Sequence, residues 1–264
     1  LEYHELKNSV LEPIYARYNK REFVHPDPLE FLYKYREVED RELAALVASS
    51  LAYGRVASIL KSVSSVLRQM GDSPRDFVVS AASSQMTKSL GGFRHRFATG
   101  EHVVSMLNGA RKLIEEYGTL NAAFVAMCSE SDATVIPALT RFVDSLSSAD
   151  AHLVPDPARG SACKRLNLFL RWMVRKDQVD PGGWTGIQPS RLVVPLDTHM
   201  ARIGVLLGLT SRRTASLKMA MEITAGFRRI CPEDPVKYDF ALTRYGIRNE
   251  LDFEDLRECA RRSV

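Results

Sequence analysis

Apolar residues recur at intervals of three and four along most of this chain, and no stretch alternates apolar and polar residues convincingly. That pattern restricts the fold more than any motif does. A spacing near 3.6 makes one-sided helices, which must stack on one another to hide their apolar faces. The run Val193-Val194-Pro195-Leu196 is too short to make a sheet. The fold class expected is all-α, with at least ten helices. At 264 residues, 45% of them hydrophobic, the chain can build a sizeable core in one or two lobes.

Residues 1–19 read as a first helix, with Leu1, Leu6, Val10, Ile14 and Tyr18 on one side. Asp27 can cap a short helix that has Pro28 at its first position. Asp40 is read as opening the most apolar helix, with Leu43, Leu46, Val47, Ser50 and Leu51 inward and Gly54 at its end. Residues 56–70 form an amphipathic helix closed by Gly71, and 74–90 one further helix. The segment 91–100 sets Phe93 and Phe97 among Arg94, His95 and Arg96. Basic residues interleaved with aromatics suit phosphate contact plus stacking. They also suit a buried Phe pair whose polar neighbours turn outward. Helices are expected at 101–117, 119–129 and 133–148, then from Thr198 to Gly208, over 210–230, and from Asp234-Pro235 to Gly246.

The net charge of +4 permits a polyanionic partner without demanding one. Its distribution says more: residues 157–176 hold six Lys or Arg and no acid. Cys128, Cys163, Cys231 and Cys259 stand singly, with no zinc spacing and no disulfide framework, and fit reduced thiols in a cytosol. Neither a metal nor another cofactor is expected. No apolar run reaches membrane length and the first residues carry no signal-peptide pattern. The expectation is a cytoplasmic, monomeric protein without membrane attachment.

The stretch 156–203 holds two residues that could do chemistry together, Lys164 and Asp197. With Ser161 as N-cap, Lys164 falls at the third helical position, where the positive helix end disfavours an ammonium. A lysine nucleophile must be neutral to attack. The other reading is a solvated face, since Lys164, Arg171 and Arg175 share one side of the wheel and Leu166, Phe169, Leu170 and Met173 the other. Asp197 before Thr198 is an ordinary helix cap, or a carboxylate that stabilises a sugar cation and handles a proton. His199 could orient Asp197 or meet a phosphate, or serve structure alone. Cys163 beside Lys164 is either a reactive thiol or a small buried side chain. Trp184 either stacks on an extruded base or anchors its loop.

LVVPLDTHMARIGVLLGLT resembles the aspartate-bearing segment of the helix-hairpin-helix DNA glycosylases, the endonuclease III superfamily. There an apolar run and a (Val/Leu)-Asp-Thr-His sequence follow a hairpin whose second helix begins with the catalytic lysine of the bifunctional members. Lys164 matches that lysine and Asp197 that aspartate. The interval between them, filled by DQVDPGGWTGIQPSR, is longer than in endonuclease III and closer to the archaeal 8-oxoguanine glycosylases. The turn VPDPARGS keeps Gly160 of the usual Pro-Gly-x-Gly but has Asp156-Pro157 in place of the first glycine. The four-cysteine iron–sulfur loop of many relatives is absent. This motif resemblance covers about residues 133–250. Nearly the whole chain is also similar to an uncharacterised bacterial and archaeal family that shares its DPLEFLY, SSLAYGRV and PLDTHM blocks.

The resemblance implies a two-lobed helix-hairpin-helix glycosylase fold. Residues 36–185 would be a helical barrel lobe ending in the hairpin, and 1–35 with 186–264 a second lobe. The implied partner is damaged double-stranded DNA and the implied activity removal of 8-oxoguanine with β-lyase cleavage. Lys164 would be the nucleophile and Asp197 the carboxylate. The turn amides of Ala158, Arg159, Gly160 and Ser161 would bind phosphate, with Arg159, Arg165, Arg175, Arg94, Arg96 and His199 also on the DNA. Ser50, Leu51, Tyr53 and Arg55, at a helix junction that faces the base pocket in these enzymes, would join Trp184 around the base. Endonuclease III-like members carry a Gln at the position of Leu51. Three alternatives stay open: a glycosylase in which Asp197 activates water, a non-catalytic nucleic-acid-binding module, and a helical interaction protein.

Overall fold

The computed structural model of the protein describes residues 3–146 and 152–247. Among these, the apolar spacing becomes helix almost throughout, and the fold class is all-α with one small hairpin. Helix α1 runs over 3–18 with a π-turn at Lys7–Leu11. A 3₁₀ segment, Pro28–Lys34, follows, and its cap is Asp27, whose side chain accepts from Leu29 N at 3.0 Å. Then come α2 (Val38–Ser50), α3 (Val56–Met70), α4 (Pro74–Ser80) and α5 (Ser83–Leu90). Strands β1 (Arg94–His95) and β2 (Ala98–Thr99) pair antiparallel, Arg94 opposite Thr99 and His95 opposite Ala98. The chain continues with α6 (Gly100–Tyr117), α7 (Leu120–Ala126), α8 (Ile136–Leu146), α9 (Lys164–Val174), α10 (Thr198–Leu206), α11 (Leu217–Ile230) and α12 (Asp239–Ile247).

Several boundaries fall elsewhere than the sequence predicts, each for a local reason. Asp40 does not open α2. Its carboxylate accepts from Ser73 Oγ at 2.8 Å and Arg75 N at 2.9 Å, so it braces the start of α4. Residues 74–90 are two helices, because Ala81 and Ala82 are extended. Arg111 on α6 donates to the carbonyls of Val78 and Ala81, which satisfies backbone groups that the break would orphan. The segment 91–100 makes the hairpin, whose alternation is only two residues deep per strand and so leaves no period to read. The helix predicted over 210–230 starts at Leu217, where the Ser216 side chain caps Met219 N. Asp234-Pro235 opens a turn rather than a helix, and α12 begins at Asp239. Leu1 and Cys259 lie outside the described residues, as do the last residues of the helix predicted over 133–148.

Helix α9 is the buried axis of this arrangement. It packs on α2, and Leu166, Phe169, Leu170 and Met173 are fully buried as the wheel predicts. Its other side is buried too. Arg171 pairs with Asp180 at 3.2 Å and with Asp239. Arg175 pairs with Asp177 at 2.9 Å, Asp234 at 2.8 Å and Asp180. The solvated face expected for Arg171 and Arg175 is thus a buried ion-pair wall. It ties α9 to the loop that follows it and to the chain around α12. The same wall reaches α1: Tyr15 and Asn19 donate to Asp177, while Glu12 accepts from Lys237 and Tyr238. Residues 12–19 therefore pack against residues 177 and 237–238. No helix among the described residues is long and apolar enough to cross a membrane.

Candidate active site

Two helix starts meet at one cleft. Lys164 is the first residue of α9, and Asp197 is the N-cap of α10. Asp197 Oδ1 accepts from Met200 N at 2.8 Å, so one oxygen does the capping that the sequence suggests. The other oxygen, Oδ2, stands 3.6 Å from Lys164 Nζ. The cap and the chemical reading of this aspartate are compatible, because its two oxygens are divided between them. Lys164 remains about one-third exposed, with its side chain at 35%.

The lysine is set by an uncommon backbone. Its helix is capped by Cys163, not by Ser161, and Cys163 adopts φ 46°, ψ 39°. A non-glycine residue in that left-handed region is strained by its own Cβ. The neighbours hold it there. The Cys163 thiol donates to Pro155 O at 3.2 Å, its amide donates to Ser161 Oγ at 3.2 Å, and its carbonyl accepts from Asn167 N at 2.9 Å. The thiol is buried, and burial pushes it up to about 11. Cys163 is thus the small buried side chain of the two sequence readings, and its backbone aims Lys164 toward Asp197.

The cleft has a volume of about 310 Å³ and is lined by Lys164, Asp197, His199, Asp239, Pro26 and Gly54 among others. That volume lies at the low end of small-ligand sites, about 300–1,000 Å³. Asp239 is a site residue the sequence reading missed. It is 3% exposed, its Oδ2 pairs with Arg171, and its Oδ1 has no hydrogen-bond partner among the described residues. Burial, opposed by Arg171 and reinforced by the charge of Asp197, pushes its carboxyl up to about 6. Arg244 and Asp27, paired at 3.2 Å, close the same side. No spacing in the sequence links residues 27, 164, 197 and 239. Only the packing of α1 and the 3₁₀ segment against the C-terminal helices does.

Several predicted contacts stand elsewhere. Arg175 is 4% exposed within its three carboxylates and has no face for a phosphate. Arg165 is half-buried and committed: its guanidinium donates to Ser50 O at 2.9 Å and His152 O at 2.8 Å. Trp184 is 5% exposed, donates to Glu42 at 2.8 Å and meets Phe169 edge-on, so it is the loop anchor and not a stacking surface. Ser50 and Leu51 are buried in α2 and its last turn, and neither reaches the cleft. Tyr53 is half-buried, and its hydroxyl donates to His95 O at 3.1 Å, which makes it the seat of the hairpin. Of the turn amides, Ala158 N donates to Asp156 Oδ1, Arg159 N to Asp156 O and Gly160 N to Pro157 O. Those three are spent inside the turn. Among the described residues, Ser161 N has no such partner. Arg159, Arg55, Arg94 and Arg96 are exposed, and Arg159 lies 3.6 Å from Asp156. No group of three or more metal-ligating side chains is found among the described residues.

A family profile described as "Protein of unknown function (DUF2400)" matches residues 27–248. No curated protein and no solved structure matches the chain.

Proposed function

The chain belongs to the DUF2400 family, and we propose that it is a base-excision-repair DNA glycosylase with lyase activity that acts through Lys164 and Asp197. The observation that carries this reading is the 3.6 Å approach of Lys164 Nζ to Asp197 Oδ2 at a cleft of small-ligand size. A base inside the duplex stack cannot be reached, so the target nucleotide must be extruded into such a cleft. Asp197 Oδ2 takes a proton from the Lys164 ammonium. The neutral amine attacks C1′ of the sugar. The C1′–N bond breaks and its electron pair leaves with the base, to which Asp197 passes the proton it took from Lys164, so that Asp197 is a carboxylate again. Asp197, still anchored by Met200 N, faces the positive charge that develops on the sugar. Asp197 then carries a proton from the attached nitrogen to O4′ as the C1′–O4′ bond opens, which leaves a protonated Lys164 imine. The imine acidifies C2′, and removal of the C2′ proton expels the 3′ phosphate as the C2′–C3′ double bond forms, cutting the strand.

The architecture proposed is the two-lobed helix-hairpin-helix one. In its support, α8 and α9 flank the 152–163 turn, and α1 packs against the C-terminal helices. Arg159 with Ser161 N at that turn, and Arg94, Arg96 and Arg55 beyond it, supply the phosphate contacts that position the duplex. Arg165 and Arg175 have no part in them. The Lys-to-Asp interval favours 8-oxoguanine as the lesion, through the likeness to the archaeal enzymes.

The test is borohydride trapping on a duplex with one 8-oxoguanine opposite cytosine, using wild type, Lys164→Gln and Asp197→Asn. Asparagine caps a helix about as well as aspartate, so the second variant keeps the fold and loses only the proton acceptor. A covalent complex is expected with wild type alone. Lys164→Gln releasing base at the wild-type rate would sink the nucleophile assignment, and would point to Asp197-activated water if Asp197→Asn were dead. Salt-sensitive binding without base release from a panel of damaged duplexes would leave only a binding module.

A further inference from the structure

Phe97 is the most exposed large apolar side chain among the described residues, at 73%. It sits at the tip of the β1–β2 hairpin, in a two-residue turn with Arg96, whose φ is 54°. Both features work against stability, since the ring forgoes burial and the arginine is held in the left-handed region. The base of the hairpin, by contrast, is fixed. His95 is buried, with its ring bonded to Ser62 Oγ and to Tyr53 O, each at 2.9 Å. Tyr53 returns a bond to His95 O, and the Arg165 guanidinium lies over the Tyr53 ring at 5.0 Å. Arg96 packs on Gly54, where an added Cβ would lie 3.0 Å from Arg96 Cδ. Gly54 in turn lines the cleft that holds Lys164 and Asp197. The tip is therefore a rigid apolar point on the rim of the cleft, flanked by exposed Arg94, Arg96 and Arg55.

We propose that Phe97 is a positioning residue that inserts into the duplex at the space left by the extruded nucleotide, stacking on the neighbouring bases while Arg94 and Arg96 hold the flanking phosphates. The inference rests on the glycosylase reading. Apolar wedges that enter a base step are a general way of holding DNA open, and an aromatic ring can stack on any base without reading sequence. Leu51, expected around the base from its helix junction, is 1% exposed and does not compete for that space. Arg165 and the Arg96–Gly54 contact keep the wedge in register with the lysine.

The experiment compares wild type, Phe97→Ala and Phe97→Trp on two probes. The first is a duplex with a tetrahydrofuran abasic analogue opposite 2-aminopurine. The second is single-turnover base release from 8-oxoguanine in duplex and in single-stranded form. Wild type should quench the 2-aminopurine on binding, and Phe97→Ala should not. Phe97→Ala should lose about ten- to a hundredfold in duplex excision, the range that stacking of one base on one ring supplies. It should match wild type on the single strand, where no stack has to be held open. Phe97→Trp should restore the duplex rate. Equal losses on both substrates would mark a folding defect and overturn the proposal, as would unchanged quenching and duplex rate in Phe97→Ala. If wild type neither prefers the abasic duplex nor releases base, the glycosylase reading falls and the wedge with it. If wild type does both while Phe97→Ala is unaltered, only the wedge falls.

Discussion

Replacing Arg175 with alanine separates a phosphate-binding arginine from a structural one. Its guanidinium is 4% exposed and touches Asp177, Asp180 and Asp234. Burial works against its charge, but the three carboxylates outweigh that and push its pKa up. Removing one partner of a buried pair leaves the other charge uncompensated and costs about 3–5 kcal/mol. The loss stays within that range, because Asp180 keeps Arg171 at 3.2 Å and Asp177 keeps two backbone amides, Val179 N and Asp180 N, each at 2.8 Å. Taking about 4 kcal/mol and roughly 2–4 °C per kcal/mol for a domain of this size, the melting temperature should fall by roughly 8–16 °C. Thermal unfolding followed by circular dichroism at pH 7, with urea midpoints alongside, measures it. The deficit should shrink as pH falls, because burial already pushes the Asp180 carboxyl up and its protonation removes a stranded charge. Arg159→Ala is the control. It should leave the melting temperature unchanged and reduce the salt slope of DNA binding by about one. If Arg175→Ala melts within about 2 °C of wild type and instead loses that salt slope, the ion-pair wall is misread and the arginine faces DNA.

Glu42 gives a pH signature. Its buried carboxylate accepts from Leu120 N, Asn121 N and Trp184 Nε1, yet burial outweighs these bonds and pushes it up to about 7. A carboxyl whose folded pKa lies above its unfolded one contributes stability that is fully present below about pH 4.5 and lost as pH rises to 7, here by about 3 kcal/mol. Urea unfolding across that window should show the decline in wild type and a flatter profile in Glu42→Gln; identical profiles would remove Glu42 as the cause. Gly109 lies where α6 crosses the end of α8, and an added Cβ would be 2.3 Å from Leu146 O. Gly109→Ala should therefore destabilise by about 1–3 kcal/mol despite a helix-propensity gain of about 1 kcal/mol, and a variant that melts higher than wild type would refute the close approach.

The helices were legible because burial on one side is a periodic property, and residues 56–70 are helical over the predicted span. Caps were legible where a side chain serves its own helix, as at Asp27 and Asp197. They were misread where the same residue type serves a distant one. Asp40 looks like a cap in sequence but braces α4, thirty-odd residues on, and Ser161 yields the capping position to Cys163. Local composition carries no trace of the strain at Cys163 or Arg96, since neither residue type announces a positive φ. The Lys164–Asp197 pair was found through motif likeness, and Asp239 was missed because nothing ties residue 239 to 164 except tertiary packing.

The misreading of α9 shows which kind of information a sequence withholds. Lys164, Arg171 and Arg175 lie on one stripe of the helix, and a wheel treats a stripe as one environment. Along the axis, however, seven residues advance about 10 Å, enough to pass from the surface into the interior. Lys164 stands at the mouth of that passage, Arg171 and Arg175 at its depth. Counting charges in the window 157–176 found no acid, and a basic face free for phosphate follows from that count alone. The acids come from outside the window: Asp177 and Asp180 from the loop just beyond, Asp234 and Asp239 from the far end of the described chain. Partnering is a property of the fold, so a run of like charge identifies a phosphate surface only after each charge has been asked what it already holds. By that standard the six cations of that window leave Arg159, Lys176 and part of Lys164 open to solvent, and among the described residues Lys164 is the one cation that stands beside a cleft carboxylate with a share of solvent.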